Sequence, residues 1–318
     1  LVKLDILGHD DPTAMRMFHE ITGVDPKDIP QDDPATMRIF SSLEPLKITL
    51  DALECDVGSI GIPEFGTPFV RKLLMDTRPT TMDELVRISG LSHGTDVWLG
   101  NAQEMVLGGI ATLSQVICTR EDIMNSLMAM GGEASISFKT MESVRKGRGL
   151  TEEMEKNLAQ LHAPEWFVTS LRKIKYLFPR AHAAAYVMMS FRTAWFKVHH
   201  PLAFYAVYLS ARADAFDVEA AAGGGERVLR HILSIKEKGN RAEQKEQDLL
   251  VILEVVYEMN RRGIELLPID LYRSDATRFL IEGNALRPPF SAIAGVGTGA
   301  AEGIGAARAE GPFASVED

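Results

Sequence analysis

The chain has 318 residues, 46% of them hydrophobic, which is enough to bury a core and to form two or three domains. Its two cysteines, Cys55 and Cys118, are too few for a disulfide framework, and its apolar runs are shorter than a membrane-spanning helix needs. The net charge of −10 argues against a protein that binds nucleic acid over its whole surface.

A short β-strand is predicted at the start of the chain, because apolar and polar residues alternate over 2–7 before Gly8. Alternation places Lys3 and Asp5 on one face of this strand. Such a charged pair is typical of a solvent-facing surface, and the alternative is a metal-binding carboxylate with a lysine beside it. The sequence opens on Leu1 without an initiator methionine or an apolar leader. We therefore expect a piece of a longer protein from a reducing, cytoplasmic setting.

Helical periodicity with recognisable start signals dominates the middle of the chain. Apolar residues recur at helical spacing from Pro12 until Gly23 and Pro26 interrupt them, and a second short helix is predicted from Asp33. Further helices are predicted to begin after threonines, whose hydroxyls accept hydrogen bonds from first-turn amides. These threonines are Thr81, Thr119 and Thr151. The predicted fold class is therefore mainly α.

Two glycine-containing loops interrupt these helices. Residues 58–67 contain three glycines and a proline, which predicts unusual backbone torsion angles. Residues 88–103 form the second predicted loop, where small residues would let a ligand approach the backbone closely. Its hydrogen-bonding groups are Ser92, His93, Thr95 and Asp96. An ordinary connection between two helices explains the same pattern.

A cluster of cations closes the helix predicted over 136–146. Arg145 and Lys146 occupy its last turn, where the negative end of the helix dipole favours cations. That preference is a complete structural explanation for these two residues. It does not explain Arg148, which lies in the loop beyond Gly147.

The stretch between Lys139 and His200 is basic in an acidic chain. It contains eleven Lys and Arg and only five Glu, so that it carries a charge of +6. A focused site for a polyanion such as a triphosphate is one interpretation, and a solvated helical face is the other.

A long alanine-rich helix is predicted within this stretch, between Pro179 and Pro201. Its N-terminal end would attract phosphate through free amides and the helix dipole. Cations surround that end, namely Arg172, Lys173, Lys175 and Arg180. One face is predicted to carry a polar, aromatic and cationic stripe made of His182, Tyr186, Met189, Thr193 and Lys197.

The last third of the chain is predicted to be a small α+β region. A glycine-rich connection over 220–225 precedes two charged helices, 226–238 and 241–262, and then strands over 264–271 and 277–281.

A helix-hairpin-helix pattern, h-x-G-h-G-x-x-x-A-x-x-h, fits the residues between Ile293 and Ile304. Its two glycines allow a tight turn whose N–H groups face a DNA phosphate, and such contacts are independent of DNA sequence. The residues of the predicted DNA contact are Gly295, Val296, Gly297 and Thr298. A glycine-rich turn between two helices is the alternative.

Several of these segments together resemble one family. KLDILGHDD, GIPEFGT, ISGLSHGTDVWLGNAQ, MESVRKGRGL, KIKYLFPRAHAAAY and FKVHHPL, followed by the GVG hairpin, occur in this order. They are similar to the PolC-type bacterial replicative DNA polymerases, and the resemblance is weakest between about 216 and 284. It implies the end of a palm domain over 1–20, helical fingers over 21–222, and a duplex-binding region over 223–318.

The resemblance also implies roles for individual residues. Asp5 would be a catalytic carboxylate that binds Mg²⁺, and Lys3 would approach the incoming dNTP. The fingers would contact that nucleotide through Arg145, Lys146, Arg148, Lys175, Tyr176 and His182. Arg180 stands where the family usually has a lysine. The other catalytic carboxylates, an exonuclease and a PHP domain would lie elsewhere in the longer protein, which would bind primer-template DNA, a sliding clamp and other replisome proteins. No membrane partner is expected.

Two other classes of protein share part of the pattern. A non-enzymatic helix-hairpin-helix DNA-binding module would explain the hairpin and the basic stretch, but not KLDILGHDD. A helix-hairpin-helix glycosylase would need a catalytic Asp or Lys soon after the hairpin. Among the residues given after Ile304, Asp318 is the only Asp or Lys.

Overall fold

The structure is a computed structural model that describes residues 10–313 and 315, apart from the side chain of Asp214. The described residues form fifteen α-helices, several short 3₁₀ turns and a three-stranded sheet, so the predicted mainly helical class is confirmed. The helices are α1 (Asp11–Thr22), α2 (Pro34–Arg38), α3 (Pro68–Thr77), α4 (Met82–His93), α5 (Gln103–Leu107), α6 (Arg120–Ala129), α7 (Ala134–Arg145), α8 (Glu152–Gln160), α9 (Glu165–Lys173), α10 (Arg180–His199), α11 (Pro201–Ser210), α12 (Val218–Ala221), α13 (Gly225–Lys238), α14 (Gln244–Arg261) and α15 (Thr298–Glu310).

The chain divides into two units. Among the described residues, unit 1 contains those up to Pro30, Leu43–Asp56 and those from Arg192 onward, and unit 2 contains Gln31–Ser42 and Val57–Phe191. The boundary that follows Phe191 falls inside α10.

The helix starts predicted from threonines are confirmed in unit 2. Thr81 and Glu84 form a capping box, in which the Glu84 amide donates to Thr81 Oγ1 over 3.3 Å and the Thr81 amide donates to Glu84 Oε2 over 3.1 Å. Thr119 forms a capping box with Asp122. The Thr151 hydroxyl accepts from the Met154 amide over 3.3 Å. These local bonds satisfy first-turn amides that have no partner within the helix, so the helices begin where they do.

An aromatic cluster forms part of the core of unit 2. Phe40 lies 5.0 Å from Phe65 and 6.3 Å from Phe191 between ring centroids, and all three side chains are fully buried. Phe65 belongs to the predicted loop over 58–67, and its carbonyl accepts a 2.8 Å hydrogen bond from Ser59 Oγ of the same loop. Gly61 has a φ of +75°, so the glycine-rich sequence serves a tight turn.

The second predicted loop is shorter than its composition suggested. Helix α4 continues to His93, so the loop prediction was wrong over 88–93, and α5 begins at Gln103. Apolar positions of α4 such as Ile88 and Leu91 are buried. Packing against the core therefore outweighs the small residues that suggested an irregular backbone.

Unit 1 has its own core around α11. Every residue of α11 from Ala203 to Leu209 is buried, and Phe18 of α1 stacks on Phe196 of α10 with ring centroids 4.3 Å apart. Helices α13 and α14 pack against each other. None of the helices in the described part of the chain is long and apolar enough to cross a membrane.

A small mixed sheet follows α14. Its strands are β1 (Glu265–Leu266), β2 (Leu280–Glu282) and β3 (Ala285–Arg287), in the order β1-β3-β2, with β1 parallel and β2 antiparallel to β3. The first predicted strand is present but shorter than expected, the second overlaps β2 only at 280–281, and β3 was missed. Its three residues are too few to show an alternating pattern.

Candidate functional site

The predicted metal-binding carboxylate cannot be placed, because Lys3 and Asp5 lie outside the described residues. Within the described residues, no three His, Cys, Asp or Glu side chains lie together as a metal-binding group. The geometry of the candidate site is therefore that of its cations and aromatic rings.

The predicted cationic loop is a tight backbone turn at the end of α7. Helix α7 ends at Arg145, and Gly147 and Gly149 then take φ values of +69° and +75°. The Ser143 hydroxyl donates a 2.7 Å hydrogen bond to the Gly149 carbonyl across the turn. Positive φ is strained for a residue with a Cβ, so glycine suits both positions of this turn.

This turn lies directly against the segment that follows α9. The Leu177 amide donates to the Arg145 carbonyl over 3.4 Å. A Cβ on Gly147 would lie only 2.5 Å from the Lys175 carbonyl oxygen, so any side chain there would overlap the neighbouring backbone. The structure thus brings the predicted residues Arg145, Lys146 and Arg148 beside the predicted residues Lys175 and Tyr176.

The four cations of this cluster differ in their partners. Arg145 binds Glu142 through two nitrogens, and Lys146 Nζ lies 2.8 Å from Glu142 Oε2. Hydrogen bonds from these two cations lower the pKa of the Glu142 carboxyl to about 2. The exposed side chains of Arg148 and Lys175 have no hydrogen-bond or ion-pair partner among the described residues. They are the two cations most available to an external anion.

The loop after α4 supports the same segment. The Lys175 amide donates to the Thr95 carbonyl, and the Thr95 amide donates to the Tyr176 carbonyl, both over 3.0 Å. A Cβ on Gly94 would lie 3.0 Å from the Tyr176 carbonyl oxygen and 2.4 Å from Val97 Cγ2. The small residues of this loop were predicted to let a ligand approach the backbone, but at Gly94 the missing side chain makes room for the backbone of Tyr176.

A column of four aromatic rings runs from α4 to α10. Ring centroids are 4.8 Å apart between His93 and Phe178, 4.9 Å between Phe178 and His182, and 4.6 Å between His182 and Tyr186. His93 Nε2 also binds Glu64 Oε2, and this hydrogen bond raises the pKa of His93. The spacing on α10 indicated that His182 and Tyr186 would meet. Their contacts with Phe178 and, through it, His93 could not be predicted, because these two residues lie outside α10.

Most other cations of the basic stretch are paired within the chain. Arg172 binds Glu155 through two nitrogens, and Lys173 Nζ donates to the Gly100 carbonyl over 2.6 Å. Arg180 contacts Asp83 and Asp122. The sequence therefore overestimated how many cations face an external ligand.

The predicted stripe along α10 is not a surface stripe. Thr193 is buried, and Lys197 has no exposed area. The buried Lys197 Nζ pairs with Glu258 Oε1 of α14 at 2.7 Å in unit 1. His182 and Tyr186 are half-buried. The helix bounds were predicted correctly, but the burial of its far end was not.

The predicted DNA-binding hairpin is present in unit 1. Gly295 has a φ of +86°, and the Val296 amide donates to the Ile293 carbonyl over 3.0 Å. Gly297 precedes α15 as its N-cap, so the first amides of α15, from Thr298 onward, have no partner in the helix. The element before the hairpin is a single 3₁₀ turn, Phe290–Ala292.

The hairpin borders an open cleft of about 630 Å³. Lys245 of α14 lines it together with Asp217 and Asp248. The Asp217 carboxylate accepts from the Ala220 amide, and the Asp248 carboxylate accepts from Gln244 Nε2. The hairpin amides and Lys245 are the groups of this cleft suited to a phosphate.

Known protein families match both the region of the cationic cluster and the region of the hairpin. A family model described as the bacterial DNA polymerase III alpha subunit finger domain matches residues 11–163, and a helix-hairpin-helix motif model matches residues 263–318. Proteins named DNA polymerase III PolC-type are 54% identical in Bacillus cereus and Bacillus subtilis and 55% identical in Thermotoga petrophila. Each match covers all 318 residues of this chain.

The chain spans about a fifth of the length of these relatives: 22% of each Bacillus protein and 23% of the Thermotoga protein. Identity of 54–55% in matches that cover the whole chain agrees with the resemblance found in the sequence segments. The chain therefore belongs to the PolC-type bacterial DNA polymerase III family, as a part that includes the finger domain and a helix-hairpin-helix motif.

Proposed function

We propose that this chain supplies the dNTP-binding fingers of a replicative DNA-directed DNA polymerase. The reaction would be attack of a primer 3′-hydroxyl on the α-phosphorus of the dNTP, with release of pyrophosphate. Arg145, Lys146, Arg148 and Lys175 would hold the triphosphate.

The observation that carries this proposal is the backbone junction between the Gly147 turn and Lys175. Because a Cβ at position 147 would overlap the Lys175 carbonyl, the two cationic segments are held side by side by main-chain packing. Glu142 offsets part of the charge of Arg145 and Lys146, while Arg148 and Lys175 keep theirs. Such fixed cations neutralise phosphate oxygens without reorganising during the reaction.

The aromatic residues of the site would contact the nucleotide next to its phosphates. Tyr176 follows Lys175 directly and is exposed, and His182 is held between Phe178 and Tyr186 in the ring column. Rings fixed in this way suit stacking on a nucleobase at a low cost in side-chain entropy.

Asp5 would contribute an oxygen ligand for Mg²⁺, with Lys3 near the incoming nucleotide. When bound, Mg²⁺ would activate the primer hydroxyl and stabilise the departing pyrophosphate. A hard carboxylate oxygen is the ligand type that this ion prefers. The remaining catalytic carboxylates would come from other parts of the longer protein.

The hairpin would hold the primer-template duplex. The first-turn amides of α15, which have no partner within the helix, suit a phosphate of the DNA backbone. The finger-domain match favours a polymerase over an isolated DNA-binding module. We accordingly propose a palm end over 1–20, fingers over 21–222 and a duplex-binding region over 223–318. A sliding clamp and replisome proteins would bind through the longer protein.

A steady-state titration of dNTP in the full-length polymerase tests this proposal. Lys175→Ala and Arg148→Ala are each expected to raise the KM for dNTP about tenfold, because each removes one charge-assisted phosphate contact. Arg172→Ala is the control, since Arg172 is committed to Glu155. A rise in the dissociation constant for primer-template DNA at an unchanged KM for dNTP would assign these cations to the template and contradict the proposal.

A further inference from the structure

Four charged side chains connect the start of α10 to α4 and α6. Arg180 is the first residue of α10 and follows the segment that carries Lys175 and Tyr176. One nitrogen of its guanidinium binds Asp83 in the first turn of α4. The other lies 3.4 Å from Oδ1 of Asp122 in the first turn of α6. A single arginine therefore spans two carboxylates on two different helices.

Arg87 completes this four-residue cluster, named here the arginine clamp (Asp83, Arg87, Asp122 and Arg180). Arg87 Nε lies 2.9 Å from Asp83 Oδ2, and its Nη1 lies 3.7 Å from Asp122 Oδ1. Each carboxylate thus lies between two guanidinium groups. The charges of the clamp balance within it, so Arg180 does not serve as a free cation for an external anion.

Asp122 fixes the clamp to the backbone of unit 2. Its Oδ2 accepts hydrogen bonds from the Cys118 amide at 3.0 Å and the Thr119 amide at 2.8 Å. The Asp122 side chain is only 8% exposed, whereas that of Asp83 is 51% exposed. Asp122 is therefore a fixed anchor, and Asp83 is the accessible half of the clamp.

Two hydrogen bonds to first-turn residues of α6 also hold the segment from Phe178 to Arg180. The Arg180 amide donates to Glu121 Oε2 over 2.9 Å, and the Phe178 carbonyl accepts from the Arg120 amide over 3.2 Å. Phe178 is also the ring that packs on His182. The clamp thus lies within one helical turn of His182 and five residues from Lys175.

We propose that Asp83 and Arg180 are positioning residues, which act through the arginine clamp to hold Lys175, Tyr176 and His182 in the arrangement that binds the dNTP. The proposal rests on the dNTP-binding function proposed above. The planar fork of Arg180 reaches both carboxylates at once. Arg180→Gln removes the charge of that fork and therefore breaks the connection between α4 and α6.

Steady-state kinetics of the full-length polymerase test the proposal with two single variants, Asp83→Asn and Arg180→Gln. Each is expected to raise the KM for dNTP about 5- to 10-fold, with kcat, affinity for primer-template DNA and Tm little changed, because a small displacement of binding groups weakens the contacts they make. The double variant is expected to match the single ones, since both break the same contact. Asp83→Glu, which restores a carboxylate, is expected to recover part of the loss.

The matched control is Arg172→Gln, which breaks a two-nitrogen pair with Glu155 elsewhere in unit 2 and is expected to leave the KM unchanged. An unchanged KM in Asp83→Asn and Arg180→Gln, or additive effects in the double variant, would overturn the proposal. So would a drop in Tm and kcat with no selective effect on KM, because the clamp would then be only structural. If Lys175→Ala also left the KM for dNTP unchanged, the proposed function itself would be wrong.

Discussion

At the scale of single residues, Gly147 decides whether the cationic cluster can form. Its φ of +69° disfavours any other residue, and its missing Cβ leaves the space into which the Lys175 carbonyl packs. Gly149 has a similar φ of +75° but no atom within 4 Å of a Cβ built on it. The two glycines of one turn therefore separate the effect of backbone conformation from that of close packing.

Gly147→Ala is expected to destabilise the chain by about 3 kcal/mol, because a strained torsion angle and an overlap with the backbone act together. Gly149→Ala is expected to cost only about 1 kcal/mol, from the torsion angle alone. Urea denaturation of both variants measures the difference. Equal losses would show that the Lys175 carbonyl moves aside easily, and that the junction is not tightly packed.

Glu142 sets how much of the positive charge at this turn is neutralised. Its folded-state pKa of about 2 lies below the ordinary value of a glutamate. The pairing with Arg145 and Lys146 therefore stabilises the fold fully above about pH 4.5, and this contribution is lost as the pH falls towards 2. Glu142 therefore stays ionised throughout the physiological range and offsets part of the charge of Arg145 and Lys146 there.

A carbon-detected NMR titration of the Glu142 carboxyl is expected to show a midpoint near 2. Arg145→Ala should move the midpoint upward, because it removes the largest of the hydrogen bonds that lower the pKa. Arg148→Ala is the matched control and should leave it in place, since Arg148 makes no contact with Glu142 in the described structure. A midpoint that does not move in Arg145→Ala would assign the shift to another cause.

At the scale of elements, α10 shows what local sequence predicts and what it does not. Pro179 and Pro201 predicted its bounds, because proline permits a helix start and disfavours a helix just before it. Its period did not reveal that Lys197 is buried, because the partner Glu258 lies 61 residues away. The Tyr205 hydroxyl donates to the same carboxylate over 2.7 Å. Burial is a property of neighbours that are distant in sequence.

Lys197→Met is expected to destabilise unit 1 by about 3 to 5 kcal/mol, because it leaves the Glu258 carboxylate buried without its cation. Burial lowers the pKa of Lys197 to about 8, so the amino group is still protonated at pH 7. The double variant Lys197→Met and Glu258→Gln should recover most of the loss, since the introduced amide keeps an acceptor for Tyr205 and carries no charge.

Urea denaturation at pH 7 measures both Lys197 variants. The exposed pair of Arg172 and Glu155 is the control, and Arg172→Ala should shift the midpoint far less because water screens that pair. A double variant as unstable as Lys197→Met alone would mean that lost packing, and not the unpaired charge, causes the destabilisation.

At the scale of the whole molecule, short-range patterns predicted the helical class, the capped helix starts and the hairpin. The family resemblance, and not these patterns, placed the two segments 145–148 and 175–176 at one site. The patterns did not predict that Glu142 neutralises part of the cationic cluster, or that Arg180 is held by Asp83 and Asp122. Basic composition counts charges but not their partners, so it overestimated the free cations. The domain boundaries stay a prediction.

The central claim is that Arg148 and Lys175 recognise the phosphates of the incoming nucleotide. Calorimetric titration of the full-length polymerase on a chain-terminated primer-template, with dNTP, dNDP and dNMP in turn, tests it directly. The wild type is expected to bind more tightly with each added phosphate. Lys175→Ala and Arg148→Ala should lose most of that gain, while affinity for dNMP stays unchanged. If the variants keep the full gain from dNMP to dNTP, the phosphates are bound elsewhere and the account is contradicted.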